Sequence, residues 1–475
     1  MQPQQPVIRT YKGRDRRSAE EAYRIDAEGA ARAGWYPVAH RWTGAWDGHE
    51  LAVVFELRGE GVLLATQGVP AGEPGMAAPG MAPPGMAPPP PPGLNMQPVA
   101  QPAPQVAQAD AAQPVSAARA HARATLETID LHCAGEPLRL IRSGFPEVPM
   151  APILERRRWV REHADHARRA LMYEPRGHRD MYGAILMGPH RPDADIAVLF
   201  MHNQGYSTMC GHGTIAIVTA LIEESLYPAT EPQTTIRLET PAGLVTAVAN
   251  VTRGLHGGPE VSSVRFTNVP AYVAATDLTL RPEGLDMAGP AAQSGTVNVA
   301  LAFGGAYYGI VDAANLGLRV VPDQIEALTR AGRAITEVLR RDHTPTHPTD
   351  PELGFVYGTI IVDYDPATSP DGKAADAYMR NVAIFANAEV DRSPCGSGTS
   401  ALLAYLFSRG GIQIGQDVVN AGITGEAFRG RVDGQTVLGD REAVITSVEG
   451  SAYVTGYHTF VVDGRDPLGG GFLLG

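Results

Sequence analysis

Lysine is almost missing from this chain of 475 residues: of its 39 basic residues only Lys12 and Lys373 are lysine. Pyridoxal phosphate labilises an amino-acid Cα proton only from a Schiff base on a buried lysine, and Lys373 sits in the polar, turn-rich Thr368-Ser369-Pro370-Asp371-Gly372-Lys373. That chemistry is not expected here, and no cofactor is called for. Cysteine is nearly as scarce. Cys133, Cys210 and Cys395 are too few for a disulfide framework, and their odd number leaves at least one thiol free, which favours a reducing compartment. No stretch approaches the roughly 18 uninterrupted apolar residues of a membrane span, and Met1-Gln2-Pro3-Gln4-Gln5-Pro6 lacks the basic-then-apolar pattern of a secretion signal. A cytoplasmic protein is expected. Positive charge is also in deficit: the net charge of -12 argues against nucleic acid and anionic membranes as partners, since both reward a concentrated basic surface. A small-molecule substrate fits better.

The chain is longer than one hydrophobic core usually serves, so more than one unit is expected. Residues 1–66 read as a small accessory module without a catalytic part of its own. It has a helical stretch over 17–32 and strand-like runs over 35–42 and 51–57, separated by the turn residues Gly44-Ala45-Trp46-Asp47-Gly48. From 67 to 121 the composition collapses into Pro, Gly, Met, Ala and Gln, with Pro-Gly-Met-Ala repeated and prolines throughout 88–92. Such a segment builds no core and reads as a disordered, partly polyproline linker. Residues 122–475 form the catalytic unit, a mixed α/β sequence. Strand-like runs over 197–202, 235–239, 358–363 and 443–448 alternate with helical patterns over 154–171, 214–224, 323–341 and 399–408.

Within that unit one short pattern occurs twice, as Cys210-Gly211-His212-Gly213-Thr214 and as Cys395-Gly396-Ser397-Gly398-Thr399, 185 residues apart. Each follows polar, turn-like residues and runs into an apolar helix, so the spacing suggests two duplicated halves facing one another. A thiol at a helix N-terminus feels the positive end of the helix dipole, which lowers its pKa from about 8.5 toward neutrality and populates the thiolate. The same helix end offers unpaired N–H groups to an anion, and the glycines let a ligand approach that backbone. Two such ends face to face would hold one carboxylate and set a sulfur on each side of its α-carbon. Inversion of configuration needs that geometry, because one base removes the Cα proton from one face while an acid delivers a proton to the other. The competing readings are two unrelated buried cysteines, a disulfide between Cys210 and Cys395 formed by oxidation, and a metal site. For the last, His132, Cys133, Cys210 and His212 offer only a cramped Cys-x-His chelate with no second pair at the usual spacing, so no metal is expected.

These residues resemble the proline racemase family, which covers proline racemase, 4-hydroxyproline 2-epimerase and trans-3-hydroxy-L-proline dehydratase. The likeness runs over essentially all of 125–460. It is carried by Asp130-Leu131-His132 leading to Gly135-Glu136-Pro137, by Glu174-Pro175-Arg176-Gly177-His178, and by Met209-Cys210-Gly211-His212-Gly213. It continues with Phe303-Gly304-Gly305-Ala306-Tyr307-Tyr308 and finishes with Asp391-Arg392-Ser393-Pro394-Cys395-Gly396-Ser397-Gly398-Thr399-Ser400. The resemblance implies two pseudo-symmetric α/β halves of diaminopimelate-epimerase-like fold, with the active site in the cleft between them and a homodimer as the usual assembly. It also implies roles: Cys210 and Cys395 as acid/base thiols, and Gly211, His212, Asp391, Gly396 and Ser397 as the residues that bind the substrate's carboxylate and ring nitrogen. Backbone N–H groups of Gly211, His212, Gly396 and Ser397 suit the carboxylate, and the anionic Asp391 suits the ring ammonium.

Each assignment has a plainer competitor. His212 could cap its helix, Ser397 could be a turn residue, and Asp391 could form a surface ion pair with Arg392 or a nearby arginine. Cys133 reads as a structural thiol. The arginines at 156–158 and 168–169 read as a solvated helix face. The reaction also divides. Residues 174–184 and 202–210 look closer to the dehydratase branch, yet that branch typically carries threonine where this chain has Cys395, and elimination needs no second acid at the opposite face of Cα. The retained Cys395 places racemisation or epimerisation of proline or hydroxyproline first, dehydration of trans-3-hydroxy-L-proline second, and a non-catalytic amino-acid-binding protein third. The ring substituent is not readable from the residues, although a polar pocket would reject an unsubstituted ring strongly.

Overall fold

A computed structural model describes residues 7–13, 35–45, 48–57, 123–254, 257–283, 289–364 and 377–474. The chain divides into two compact units, Met1–Ala107 and Gln108–Gly475. In the first, β1 (Val7–Gly13), β2 (Trp35–Ala45) and β3 (Gly48–Leu57) form an antiparallel sheet ordered β1-β3-β2. The β2–β3 pairing runs on to Ala45↔Gly48, so both strands extend past the apolar runs that announce them. The helix expected over 17–32, the linker expected over 67–121 and the turn carrying Lys373 lie outside the described residues.

The second unit opens with β4 (Arg123–Cys133), β5 (Glu136–Ser143), α1 (Ile153–His163), α2 (Asp165–Met172), β6 (Tyr182–Met187), β7 (Ile196–His202) and β8 (Gly205–Ser207). It continues through α3 (Gly211–Glu223), β9 (Gln233–Thr240), β10 (Gly243–Arg253), β11 (Pro259–Thr267), β12 (Tyr272–Leu280), α4 (Gly289–Ser294), β13 (Val297–Phe303) and β14 (Tyr307–Asp312). Then come α5 (Ile325–Asp342), β15 (Val356–Asp363), β16 (Ala377–Phe385), β17 (Glu389–Asp391), α6 (Gly396–Ser408), β18 (Asp417–Ala421), β19 (Ala427–Leu438), β20 (Arg441–Gly450) and β21 (Ala452–Asp463).

Strand pairing makes the duplication explicit. In one half β4 lies between β21 and β5, β5 runs parallel to β6, β7 pairs with β6 and β8 and runs parallel to β9, and β9, β10 and β11 follow antiparallel. In the other, β13 lies between β12 and β14, β14 runs parallel to β15, β16 pairs with β15 and β17 and runs parallel to β18, and β18, β19 and β20 follow. The two orders match strand for strand. The halves also interlock. β12 is delivered by the chain leaving the first half and β21 by the chain leaving the second, and β11 pairs antiparallel with β20 from Val264↔Gly450 to Thr267↔Ser447. Expected two-half architecture and observed architecture therefore agree.

Each half rolls its sheet around one helix. α3 is buried from Gly211 to Ile222 and α6 from Gly396 to Ala404, and such all-round apolar helices are stable only when enclosed. β4, β5, β10, β11 and β21 surround α3, while β12, β13, β14, β19 and β20 surround α6. α5 is amphipathic by contrast: it lays Leu328, Ala331, Ile335, Val338 and Leu339 on β15 and β16, with its charges outward. No helix among the described residues is long and apolar enough to cross a membrane.

Two expectations are corrected. The helix expected over 154–171 breaks at Ala164, whose φ of -123° and ψ of 8° leave the helical basin; its side chain is fully buried beside Val160 and Leu171. Of the arginines there, Arg169 is exposed as expected, but Arg156 and Arg168 do not belong to a solvated face. Arg156 and Arg168 are 2% and 4% exposed, because the turns they cover carry carbonyls that need donors. Arg168 donates to the carbonyls of His202 (2.8 Å) and Asn203 (2.5 Å) and pairs with Asp165, while Arg156 donates to the carbonyl of Gly188.

Candidate active site

Helices α3 and α6 meet end to end at their N-termini, and the contact is glycine on glycine. A β-carbon built on Gly211 would lie 2.4 Å from Gly396 Cα, and one built on Gly396 would lie 2.6 Å from Gly211 Cα, with Phe266 Cζ 3.0 Å from either. Only glycine permits that approach. Gly211→Ala is expected to wedge the two helix ends apart, lowering stability by about 1–3 kcal/mol and activity by more than about tenfold. Urea unfolding and turnover measured side by side check this, and an alanine variant equal to the parent in both would contradict it.

The next glycine in each motif makes room for sulfur. β-carbons on Gly213 and Gly398 would fall 2.8 and 2.9 Å from Cys210 Sγ and Cys395 Sγ. Cys210 is the N-cap of α3 in extended conformation, its Sγ accepting the N–H of Gly213 at 3.2 Å. Cys395 caps α6 with φ at +59°, a conformation that costs a residue with a side chain about 1–3 kcal/mol and that concentrates at functional sites. Its N–H donates to Ser393 Oγ at 3.1 Å, and its Sγ lies 3.7 Å from the Tyr308 hydroxyl and 3.9 Å from Ser397 Oγ. Cys210, Cys395 and Cys133 are all free and buried.

All seven residues singled out from the sequence line one cleft: Cys210, Gly211, His212, Asp391, Cys395, Gly396 and Ser397. Its open volume is about 10 Å³, room for roughly one water molecule. His212 is not the cap of its helix. Burial holds its imidazole neutral, pushing the pKa down to about 3 despite a hydrogen bond to the Pro137 carbonyl. Both of its ring nitrogens lie near Cys210 Sγ, Nδ1 at 3.3 Å and Nε2 at 3.6 Å. Ser397 accepts or donates a 2.8 Å hydrogen bond with the Tyr308 hydroxyl. Asp391 is no surface ion pair: it is 5% exposed, and its Oδ1 accepts the N–H (2.9 Å) and hydroxyl (2.7 Å) of Ser393. Arg392 turns instead to Glu136, which is fully buried, accepts the Arg392 N–H at 2.8 Å and leaves Oε1 without a partner.

The electrostatics reverse one expectation. Burial pushes both active-cleft thiols well above the ordinary thiol range, aided by the Asp391 carboxylate and opposed by the N–H groups of Gly213 and Gly398. The helix ends act as anticipated, but enclosure outweighs them. Burial likewise raises Glu136 and Asp391, the latter to about 6, and the Asp391 charge adds to the rise at Glu136. Cys133 sits near the same two carboxyls, at the end of β4. Among the described residues no group of three or more His, Cys, Asp and Glu side chains is gathered as a metal site.

Sequence reasoning gave no role to Tyr182, Met209, Tyr308, Tyr357 and Phe385, which complete the lining, nor to Glu136 behind it. Met209, Tyr308 and Glu136 stand inside the quoted motifs and Tyr182 in the stretch 174–184, which is a usable signal. Tyr357 and Phe385 stand in none. Their only trace is symmetry: Tyr357 lies at the start of β15 where Tyr182 starts β6, and Phe385 ends β16 where His202 ends β7.

Comparison with known proteins gives consistent findings. The family profile described as "Proline racemase" matches residues 128–473. A trans-3-hydroxy-L-proline dehydratase of Bacillus cereus is 43% identical over 348 residues, covering 73% of this chain and 98% of that protein. A 3-hydroxyproline 2-epimerase of Burkholderia multivorans is 42% identical over 351 residues, covering 74% and 98%. Among solved structures, a hydroxyproline epimerase from Agrobacterium vitis with bound trans-4-hydroxy-L-proline superposes with a TM-score of 0.66 at 31% identity, covering 74% of this chain and 96% of that one.

Proposed function

This chain belongs to the proline racemase family, and from that premise we propose that it inverts the α-carbon of proline or a hydroxyproline without a cofactor, with Cys210 and Cys395 as paired acid and base. The observation that carries this reading is the meeting of two cysteine-capped helix ends in one cleft. The substrate carboxylate takes the N–H groups of Gly211, His212, Gly396 and Ser397, which the helix ends leave unpaired. The ring ammonium pairs with Asp391. Its positive charge arrives beside the thiols and offsets the carboxylate that raises them, so one sulfur ionises while the other stays protonated. The thiolate removes the Cα proton, the facing thiol delivers one to the opposite side, and the roles are exchanged for the next turnover. A cleft of about 10 Å³ has to open before a pyrrolidine ring enters. The reading includes the homodimer that the family likeness implies and a reducing, cytoplasmic setting that keeps the thiols unpaired.

A second reading, elimination of water from trans-3-hydroxy-L-proline, is favoured by the names of several relatives at 41–43% identity. It uses one thiol for the Cα proton and loses the 3-hydroxyl. The deciding experiment incubates the purified, reduced protein with L-proline, trans-4-hydroxy-L-proline and trans-3-hydroxy-L-proline in D2O, following Cα deuteration, optical rotation and ketimine. Deuterated product of inverted configuration is the expected result; ketimine from the 3-hydroxy compound alone would replace inversion by dehydration, and no exchange with any of the three would defeat both.

A further inference from the structure

The chemistry proposed above gives no part to Glu136, although its side chain is buried completely against the segment that carries Asp391 and Cys395. Stability does not account for it. Oε1 has no hydrogen-bond partner, and a buried carboxyl left half-satisfied costs free energy that an apolar side chain of similar size avoids. Local geometry fixes where the other oxygen goes. Ala134 and Gly135, with φ of 52° and 89°, make the two-residue turn between β4 and β5, and Cys133 pairs with Glu136 across it. Thr424 fastens this turn to the second half, its hydroxyl donating to the Ala134 carbonyl at 3.1 Å. From there Glu136 Oε2 crosses between the halves to accept the backbone N–H of Arg392 at 2.8 Å and its Nη1 at 3.2 Å, and the same Nη1 donates to the Asp180 carbonyl at 3.3 Å.

Arg392 links Asp391 to Ser393, and the bonds that follow run to the thiol. Asp391 Oδ1 accepts the Ser393 N–H and hydroxyl, and Ser393 Oγ accepts the Cys395 N–H. A carboxyl of the first half thus grips the backbone of a segment of the second whose ends are Asp391 and Cys395. We propose that Glu136 is a positioning residue: by holding the Arg392 N–H it sets Asp391 and the Cys395 sulfur at the separation from Cys210 that inversion requires. This rests on the function proposed above and adds the residue that ties one half's thiol to the other's. The dependence is one-sided. Cys210 is seated by its own helix, the Gly213 N–H donating to its sulfur, and asks nothing of Glu136. Cys395 holds a backbone at φ +59°, a conformation that persists only where the surroundings determine it. What Glu136 supplies is an oxygen within reach of the Arg392 N–H, not a charge.

The test measures Cα deuteration with retained and with inverted configuration in D2O, in the parent and in Glu136→Ala, Glu136→Asp and Glu136→Gln, starting from the enantiomer that Cys395→Ser still labels. Alanine removes the acceptor, aspartate keeps a carboxyl that stops short of the Arg392 N–H, and glutamine keeps an oxygen in reach of it. The ratio of inversion to retained exchange is expected to fall by about 10- to 100-fold in Glu136→Ala and Glu136→Asp, as a shift of about 1 Å in a reacting group does, and to stay within about threefold of the parent in Glu136→Gln. If the alanine variant does not fold, the aspartate variant carries the comparison. A role in packing alone would lower exchange and inversion together. That result, variants indistinguishable from the parent, or a glutamine variant as impaired as the aspartate one would overturn the inference while leaving the two-thiol reading standing. A parent that neither exchanges nor inverts L-proline, trans-4-hydroxy-L-proline or trans-3-hydroxy-L-proline would remove the reading and the inference together.

Discussion

Cys395→Ser is expected to lower inversion of configuration by about 10²- to 10⁴-fold, the usual contribution of a positioned acid or base, with the fold intact. Serine keeps the β-carbon, so the backbone at φ +59° is no more strained than before, and its hydroxyl remains within reach of Tyr308 and Ser397. What it loses is acidity: a buried alcohol neither holds an anion beside Asp391 nor passes a proton to a carbanion as a thiol does. Cys210 is untouched, so it still removes and returns the proton on its own face of Cα. In D2O the variant should therefore deuterate one enantiomer without inverting it and leave the other unlabelled, and Cys210→Ser should show the opposite preference. Loss of label from both enantiomers in each single variant would be the signature of thiols acting only by packing. Ketimine formed from trans-3-hydroxy-L-proline at the parent rate by Cys395→Ser would move the assignment to dehydration, because elimination asks nothing of the second sulfur.

Much of this site is legible in the chain because its chemistry is local. Cys210 and Cys395 lie next to the glycines that admit the sulfurs and to helix ends that offer N–H groups to an anion, so one five-residue pattern, repeated, carries both halves of the proposed mechanism. The duplication also anticipates the fold. What the sequence hides is whatever depends on strands from elsewhere. The exchange of β12 and β21 between halves leaves no mark in periodicity, since either strand would read the same in its own half. Tyr357 and Phe385 reach the cleft from β15 and β16, the first just ahead of the strand-like run 358–363 and the second in no run that the sequence marks. Arg168 looks like part of a charged helix face until the carbonyls of His202 and Asn203 are seen beneath it. The direction of the thiol pKa shift is hidden for a related reason: a helix end is visible in sequence, and the burial that outweighs it is not.

That burial sets the second large effect. Asp391→Asn is expected to lower kcat/KM by at least about 100-fold, since a charge-assisted bond to the ring ammonium contributes roughly 1.5–3 kcal/mol and its loss also leaves the thiols without the ion pair that eases their ionisation. The same variant is expected to be more stable than the parent at neutral pH. Asp391 is buried with its pKa pushed from 3.8 up to about 6, so the folded state holds its proton more tightly than the unfolded chain does. Between these values the folded protein binds more protons, and by linkage its stability falls as pH rises through that window. Above it the charge is buried in full, at a cost on the order of 1–3 kcal/mol, shared with Glu136, whose carboxyl it repels. Asparagine keeps an oxygen for the Ser393 N–H and hydroxyl and brings no charge. Urea unfolding of parent and variant should therefore coincide near pH 4, diverge up to about pH 6 and stay apart at pH 7.5, the variant being the more stable. A variant less stable than the parent at pH 7.5 would mean that the protein already compensates the Asp391 charge, and the carboxylate would then be a structural anchor with no strain held in reserve for the substrate's ammonium.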